Sequence, residues 1–153
     1  MFKFYKSQDR GKVMSAEQYK IKSYSPKFAK KTVTVMRKVN QRIFGSLDNA
    51  SFDDQVEHFK NVLAKKYDMR IVTSFNERTI YGVVIFDQNQ ILDLLIDPTQ
   101  KGLGISDTLI TIVKKLSKGS LQCDTKSRQL STILMQNGFK NVSTNHFVWN
   151  QNN

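Results

Sequence analysis

The chain predicts an α+β fold: a mixed, mostly antiparallel central sheet flanked by helices, with one β-α-β crossover. Three observations predict it. "MRIVTSF" (69–75), "TIYGVVIF" (79–86) and "ILDLLI" (91–96) are strand-length apolar runs separated by the turn-prone "NER" and "DQNQ", and connections this short join antiparallel neighbours. Around them lie segments whose apolar residues recur at three- and four-residue spacing, the helical period. Between Ile96 and Ile105 the chain leaves an apolar run, crosses "DPTQKGLG" and enters such a segment at once, as the first join of a β-α-β unit does.

The elements follow in order. Residues 1–17 show no period and read as a basic N-terminal arm, with a single domain from residue 18 to 153. "YKIKSY" (19–24) alternates like a half-buried strand. Ser25-Pro26 then supplies a cap and a first-turn proline for a helix running to about Ile43, with Phe28, Val35, Val39 and Ile43 on its inner stripe. That helix stops near Gly45. A second starts at Ser51, with Asp53 and Asp54 in the first turn, where the helix dipole favours anions, and Val56, Phe59, Val62 and Leu63 inside. After the three-strand meander comes a helix over 105–118, ending in lysines and Gly119. "SLQCDT" (120–125) reads as a strand, 127–137 as a helix closed by Gly138, and "HFVW" (146–149) as a last strand.

Composition narrows the function classes. The 153 residues, 39% apolar and 10% aromatic, suit one globular domain with a real core. The single Cys123 excludes an intramolecular disulfide framework and a cysteine-based zinc cluster, so a cytoplasmic setting is expected. No run approaches the roughly 18–20 apolar residues of a membrane span, and "MFKFYKSQDRGK" lacks the apolar core of a signal peptide. His58 and His146 lack metal-ligand spacing, no Ser/His/Asp arrangement is evident, and no metal site is expected. Cys123, within an apolar strand, reads as a small core residue.

Charge is distributed unevenly. Of the net +11, residues 1–46 carry twelve Lys or Arg against Asp9 and Glu17, and the remainder is nearly balanced. Such a concentration either draws polyanions, nucleic acid or acidic protein, or is a solvated helix face that maintains solubility. Aromatic side chains are not interleaved with the basic run, which argues against a plain nucleic-acid stacking platform.

The strand-to-helix join at Gly102 and Gly104 offers unpaired backbone N–H groups and the positive end of a helix dipole, a place for pyrophosphate; a tight turn needing glycine for φ is the other reading. Here the chain resembles the GNAT superfamily of acyl-CoA-dependent N-acyltransferases over about residues 19–149. "LLIDPTQKGLGISDTLI" resembles that family's fourth strand, pyrophosphate loop and following helix; "YGVVIF" its third strand with Gly82; and "RQLSTILMQNGFKNV" the later helix ending in a Gly-Phe pair, Gly138-Phe139. The resemblance implies acetyl-CoA as co-substrate, with loop contacts at Gln100, Lys101, Gly102, Leu103, Gly104 and Ile105. It also implies a fourth strand that splays from the fifth and holds the pantetheine arm through the backbone of Leu95 and Ile96.

Three positions depart from the family pattern. Thr99 stands where the loop usually opens with Gln or Arg, and Gln100 comes one residue late. Leu134 replaces the tyrosine that usually protonates the departing thiolate, and Ser127 replaces an asparagine. Ser127 and Ser131 share a helix face with Leu134 at i, i+4 and i+7, so either hydroxyl is a candidate acid, with a structural role at the helix start as the alternative. Asp93, in the middle of an apolar strand, is the candidate general base if burial raises its pKa, and a solvent-facing residue if it does not. Asp97 fits the turn before the loop, pairing with backbone amides.

The implied activity is acetyl transfer to an amine by direct attack. In the family the first two helices border the acceptor; here they carry the basic excess, so the expected acceptor is acidic, a protein, a nucleic acid or an aminoacyl-RNA. The rival expectation is a degenerate GNAT-like module that has lost turnover and binds nucleic acid or a protein partner. The sequence leaves the oligomeric state open.

Overall fold

A computed structural model describes residues 19–39, 49–100 and 104–152. The predicted arm (1–17), Ile43 with the end of the first helix, and Lys101, Gly102 and Leu103 lie outside the described residues.

Seven strands form two sheets. The first runs β1 (Tyr19–Ser23), β2 (Asp68–Ser74), β3 (Ile80–Phe86) and β4 (Ile91–Ile96), every pair antiparallel; the second has the order β5 (Ser120–Asp124), β7 (His146–Asn150), β6 (Lys140–Ser143), also antiparallel. The β4-to-β5 connection through a helix is the predicted crossover. The two strands meet at a parallel bridge between Gln90 and Gln122, where the Gln122 N–H donates to the Asn89 carbonyl at 3.0 Å. Beyond that point β4 and β5 belong to separate sheets.

The first sheet is buried on both faces. Along β3, Val83 and Ile85 pack with α1 (Ala29–Lys38) and α2 (Phe52–His58), whereas Val84 and Phe86 pack with α4 (Ile105–Leu116), α5 (Arg128–Gln136), β5 and β7. Period-two alternation in one strand thus feeds two cores. A bulge bends β4: Ile85 pairs with Asp93 but Phe86 pairs with Ile91, leaving Leu92 as the extra residue.

Helix starts follow local chemistry. Ser51 caps α2 by accepting the Asp54 amide at 3.1 Å, and Ser127 caps α5 by accepting the Leu130 amide at 3.1 Å. Pro26–Phe28 is a 3-10 turn that leads into α1, whose buried face is wider than the predicted stripe: Ala29, Thr32, Val33 and Met36 join Phe28 and Val35.

Two expectations need correction. Val62 is 46% exposed rather than internal, because Phe59–Leu63 winds as a π turn before α3 (Ala64–Lys66). The wider i→i+5 turn advances each residue by a smaller angle, so Phe59 and Leu63 stay inside and Val62 rotates out. Strand β6 went unpredicted: "KNVS" has no apolar alternation, and all four residues are exposed at a sheet edge.

Candidate active site

Three elements converge at the open side of the β4–β5 divergence. The C-terminal end of β4 contributes Ile96, the turn Pro98–Gln100 contributes Gln100, and the start of α4 contributes Gly104, Ile105 and Ser106. With Gln129, Thr132 and Ile133 of α5 they line a cavity of about 400 Å³. Its walls are apolar at Ile96, Ile105 and Ile133 and carry polar groups at Gln100, Ser106, Gln129 and Thr132. That mixture suits a ligand with alternating hydrocarbon and amide segments.

The start of α4 is built to meet an anion. Gly104 caps the helix with φ 71° and ψ 14°, the left-handed region where glycine is least strained, and as a glycine it brings no side-chain acceptor to the first turn. The Gly104 carbonyl accepts the Thr108 amide at 3.1 Å and its hydroxyl at 3.0 Å, so the helix is regular from its first turn while, among the described residues, the leading amides have no side-chain acceptor. Behind it, Gly82 of β3 makes close packing possible: a Cβ there would stand 2.8 Å from Ile96 Cδ1 and 3.1 Å from the Leu95 carbonyl.

The wall formed by α5 is pinned at its far end. The Asn137 side-chain amide donates to Asp107 of α4 at 2.9 Å, and the Lys114 ammonium donates to the Asn137 carbonyl. Gly138, at φ 89°, then turns the chain into Phe139, which packs against Trp149.

Sequence-derived candidates distribute unevenly around this cavity. Gln100, Gly104, Ile105 and Ile96 line it; Leu95 is buried in the first core beside Ile96. Ser127 and Ser131 are not among the lining residues. The Ser127 hydroxyl is engaged as the α5 cap, and the Ser131 hydroxyl donates to the Ser127 carbonyl at 2.8 Å. Leu134 is fully buried in the second core. The α5 residues that do reach the cavity, Gln129, Thr132 and Ile133, escaped notice because they lie on the face turned away from Leu130 and Leu134. Their own i, i+3, i+4 spacing was the available signal.

Asp93 lies at the β4 bulge, half-buried, with Oδ1 accepting its neighbour Leu94's amide at 2.8 Å. Burial pushes its carboxyl up to about 6, against the smaller lowering effect of that amide. Its charge is felt across the gap: burial first, then the negative charges of Asp93 and Asp124, push the Cys123 thiol of β5 up to about 12. Cys123 is a buried, protonated core thiol, not a nucleophile. Asp124 in turn sits 2.5 Å from His146 Nδ1 across the β5–β7 pair. Among the described residues no metal-ligand cluster occurs, and no helix is long and apolar enough to cross a membrane.

Part of the basic excess is consumed internally. Lys20, Lys22 and Lys27 surround Glu77 at 3.0, 3.3 and 3.6 Å, and the first two hold its carboxyl down to about 2. Lys38 pairs with the buried Asp97 at 2.9 Å. Asp97 also occupies its expected turn, accepting the Thr99 amide at 2.9 Å.

No family model matches the sequence, and no curated protein sequence does. Solved structures match over nearly the whole chain. A GNAT-family acetyltransferase of Staphylococcus aureus Mu50 superposes with a TM-score of 0.65 at 14% identity, over 87% of this chain and 99% of its own. A spermidine N-acetyltransferase variant of Vibrio cholerae gives 0.63 at 13% identity, over 88% and 94%. A protein of Salmonella typhimurium solved with its cofactor acetyl-CoA gives 0.59 at 9% identity, over 88% and 94%. At such identities the likeness rests on architecture, and with its splayed β4–β5 pair and uncapped α4 the chain has the GNAT fold.

Proposed function

We propose that the protein is an acyl-CoA-dependent N-acetyltransferase that transfers an acetyl group from acetyl-CoA to an amine. The observation that carries this reading is the cavity where β4 leaves β5, bounded by a helix start without a side-chain cap. The residues present fit the ligand: first-turn amides for a pyrophosphate, and a mixed apolar and amide-bearing wall for pantetheine.

In this mechanism the backbone of Leu95 and Ile96 aligns the pantetheine arm, and the amides of β4 polarise the thioester carbonyl. The α4 first turn and Gln100 hold the anionic end, together with Lys101, Gly102 and Leu103. Asp93 takes a proton from the acceptor ammonium, the freed amine forms the C–N bond as the C–S bond breaks, and the second proton lost from the nitrogen passes to the departing CoA thiolate. Leu134 has no proton to give. Thr132 is placed ahead of Ser127 and Ser131 as a replacement because it lines the cavity and they do not; like the Ser131 hydroxyl, its own donates to a helix carbonyl, that of Arg128 at 3.0 Å, and must rotate away from it to reach the thiolate.

The acceptor is an amine. An acidic macromolecule fits less well than the sequence implied, since Glu77 and Asp97 offset two of the four positive charges of Lys20, Lys22, Lys27 and Lys38. A structural neighbour acting on spermidine supports small amines as acceptors for this fold. A module without turnover is the second reading, favoured by the burial of Leu134 where the resembling family carries its acid.

Calorimetric titration with acetyl-CoA, with desulfo-CoA and ATP alongside, tests the reading. Binding of acetyl-CoA in the micromolar range, followed by amine-dependent thiol release, is expected. No heat at millimolar ligand would end it, and binding without thiol release from any amine would favour the silent module.

A further inference from the structure

Asp97 is the point from which the turn beside the cavity hangs. Its side chain is 4% exposed. Oδ1 accepts the Thr99 amide at 2.9 Å and the Thr99 hydroxyl at 2.8 Å, and Oδ2 accepts the Lys38 ammonium at 2.9 Å. Its own N–H donates to the Tyr81 carbonyl at 2.8 Å, and its carbonyl accepts the Gln100 amide at 2.8 Å. One residue therefore ties β3, the last residue of α1 and, through Thr99 and Gln100, the Pro98–Gln100 turn. Gln100 faces the cavity.

The tie depends on charge. Burial pushes the Asp97 carboxyl up, but the donors from Thr99 and Lys38 outweigh it and hold the group below its ordinary range, hence ionised. Among the described residues, Lys38 is the cation within salt-bridge distance of it. A carboxylate so buried, deprived of its cation, takes up a proton or draws in water. A protonated carboxyl has less acceptor capacity for Thr99, and the turn loosens.

We propose that Lys38 is a positioning residue for the acyl-CoA site: paired with Asp97, it locks the Pro98–Gln100 turn onto the end of α1 and so fixes where Gln100 meets the ligand. The assignment rests on the acetyl-CoA reading above. It gives a role in the ligand site to a lysine that the sequence groups with a basic surface, and it makes α1 part of that site although no α1 residue lines the cavity.

Three variants of the full chain test it: Lys38→Met, Lys38→Arg, and Val33→Ala, a truncation of a fully buried α1 side chain in the first core. Two readouts are compared, amide hydrogen exchange at Thr99 and Gln100 without ligand, and acetyl-CoA affinity. Lys38→Met should speed exchange at both amides and weaken acetyl-CoA by about tenfold, the scale of one lost charge-assisted hydrogen bond. Lys38→Arg should restore both properties, and Val33→Ala should lower Tm while leaving both unchanged. Unchanged exchange and affinity in Lys38→Met overturns the assignment, as does an equal loss of affinity in Val33→Ala. A wild-type protein that binds no acetyl-CoA is a different failure: it removes the acyl-CoA reading and the ligand half of this one, while exchange still judges whether Lys38 holds the turn.

Discussion

Asp93 is the proposed general base, and its environment makes opposite demands on activity and stability. A general base must be ionised, so a carboxyl raised to about 6 predicts a rate that climbs with pH through that value and then levels. Asp93→Asn should lower kcat by about 10²–10⁴ and flatten this limb of the pH profile. Retention of the limb in the variant would assign the titration to another group. For stability the sign reverses. The folded state keeps the proton between the ordinary carboxylate value and about 6, where the unfolded chain has lost it, so stability falls across that window and stays lower above it. Asn removes the fall, and the variant should melt higher than wild type above pH 6 but not at pH 3. Asp93 was legible because a lone acid in "ILDLLI" has few ways to avoid burial. Its counterpart in the fold, the Lys38–Asp97 pair, was only half legible: the turn chemistry of "DPT" is local, whereas a lysine 59 residues away is brought there by tertiary packing alone.

At the level of elements, α5 separates residues that build the helix from residues that face the cavity. Ser127 is its cap, and Ser127→Ala should cost about 1 kcal/mol, lowering Tm by about 2–4 °C, with kcat unchanged. A fall in kcat with no change in Tm would restore Ser127 as a catalytic acid. Thr132→Val keeps the shape of a side chain on the cavity wall and deletes its hydroxyl with that hydroxyl's exposed bond to the Arg128 carbonyl, which contributes little to the helix, so it should spare Tm and slow thiol release. Strands with one or two buried faces announced themselves through apolar runs, which is why β2, β3, β4 and β5 were readable. Edge strand β6 has no buried face and therefore left no pattern. The π turn at Phe59–Leu63 was equally hidden, since "FKNVL" satisfies an α-helical period as well as the observed one. The choice of α5 face was misled differently: attention to Leu134 led to the core side, and the cavity lies on the other.

Across the whole molecule, two cores share the first sheet, and β4, which contributes to both, parts from β5 along the gap proposed for the ligand. A ligand seated in that gap supplies to the β4 edge what a neighbouring strand would, and it binds only the folded chain. Acetyl-CoA at about 100 times its Kd should therefore add about 2.7 kcal/mol and raise Tm by about 5–10 °C for a chain of this size. The location of the effect is more telling than its size. Hydrogen exchange should slow at Leu94, Leu95 and Ile96 and in the first turn of α4, while the exposed edge β6 is unaffected. A basic protein can also be stabilised by any polyanion through its surface, and that alternative has a distinct signature. It weakens steeply with salt, because exposed charges are screened beyond about 8 Å at physiological ionic strength. It also protects no particular strand. A thermal shift that vanishes with salt and leaves β4 exchanging freely would therefore mean that CoA acts only as an anion, and would return the function to the basic first third of the chain.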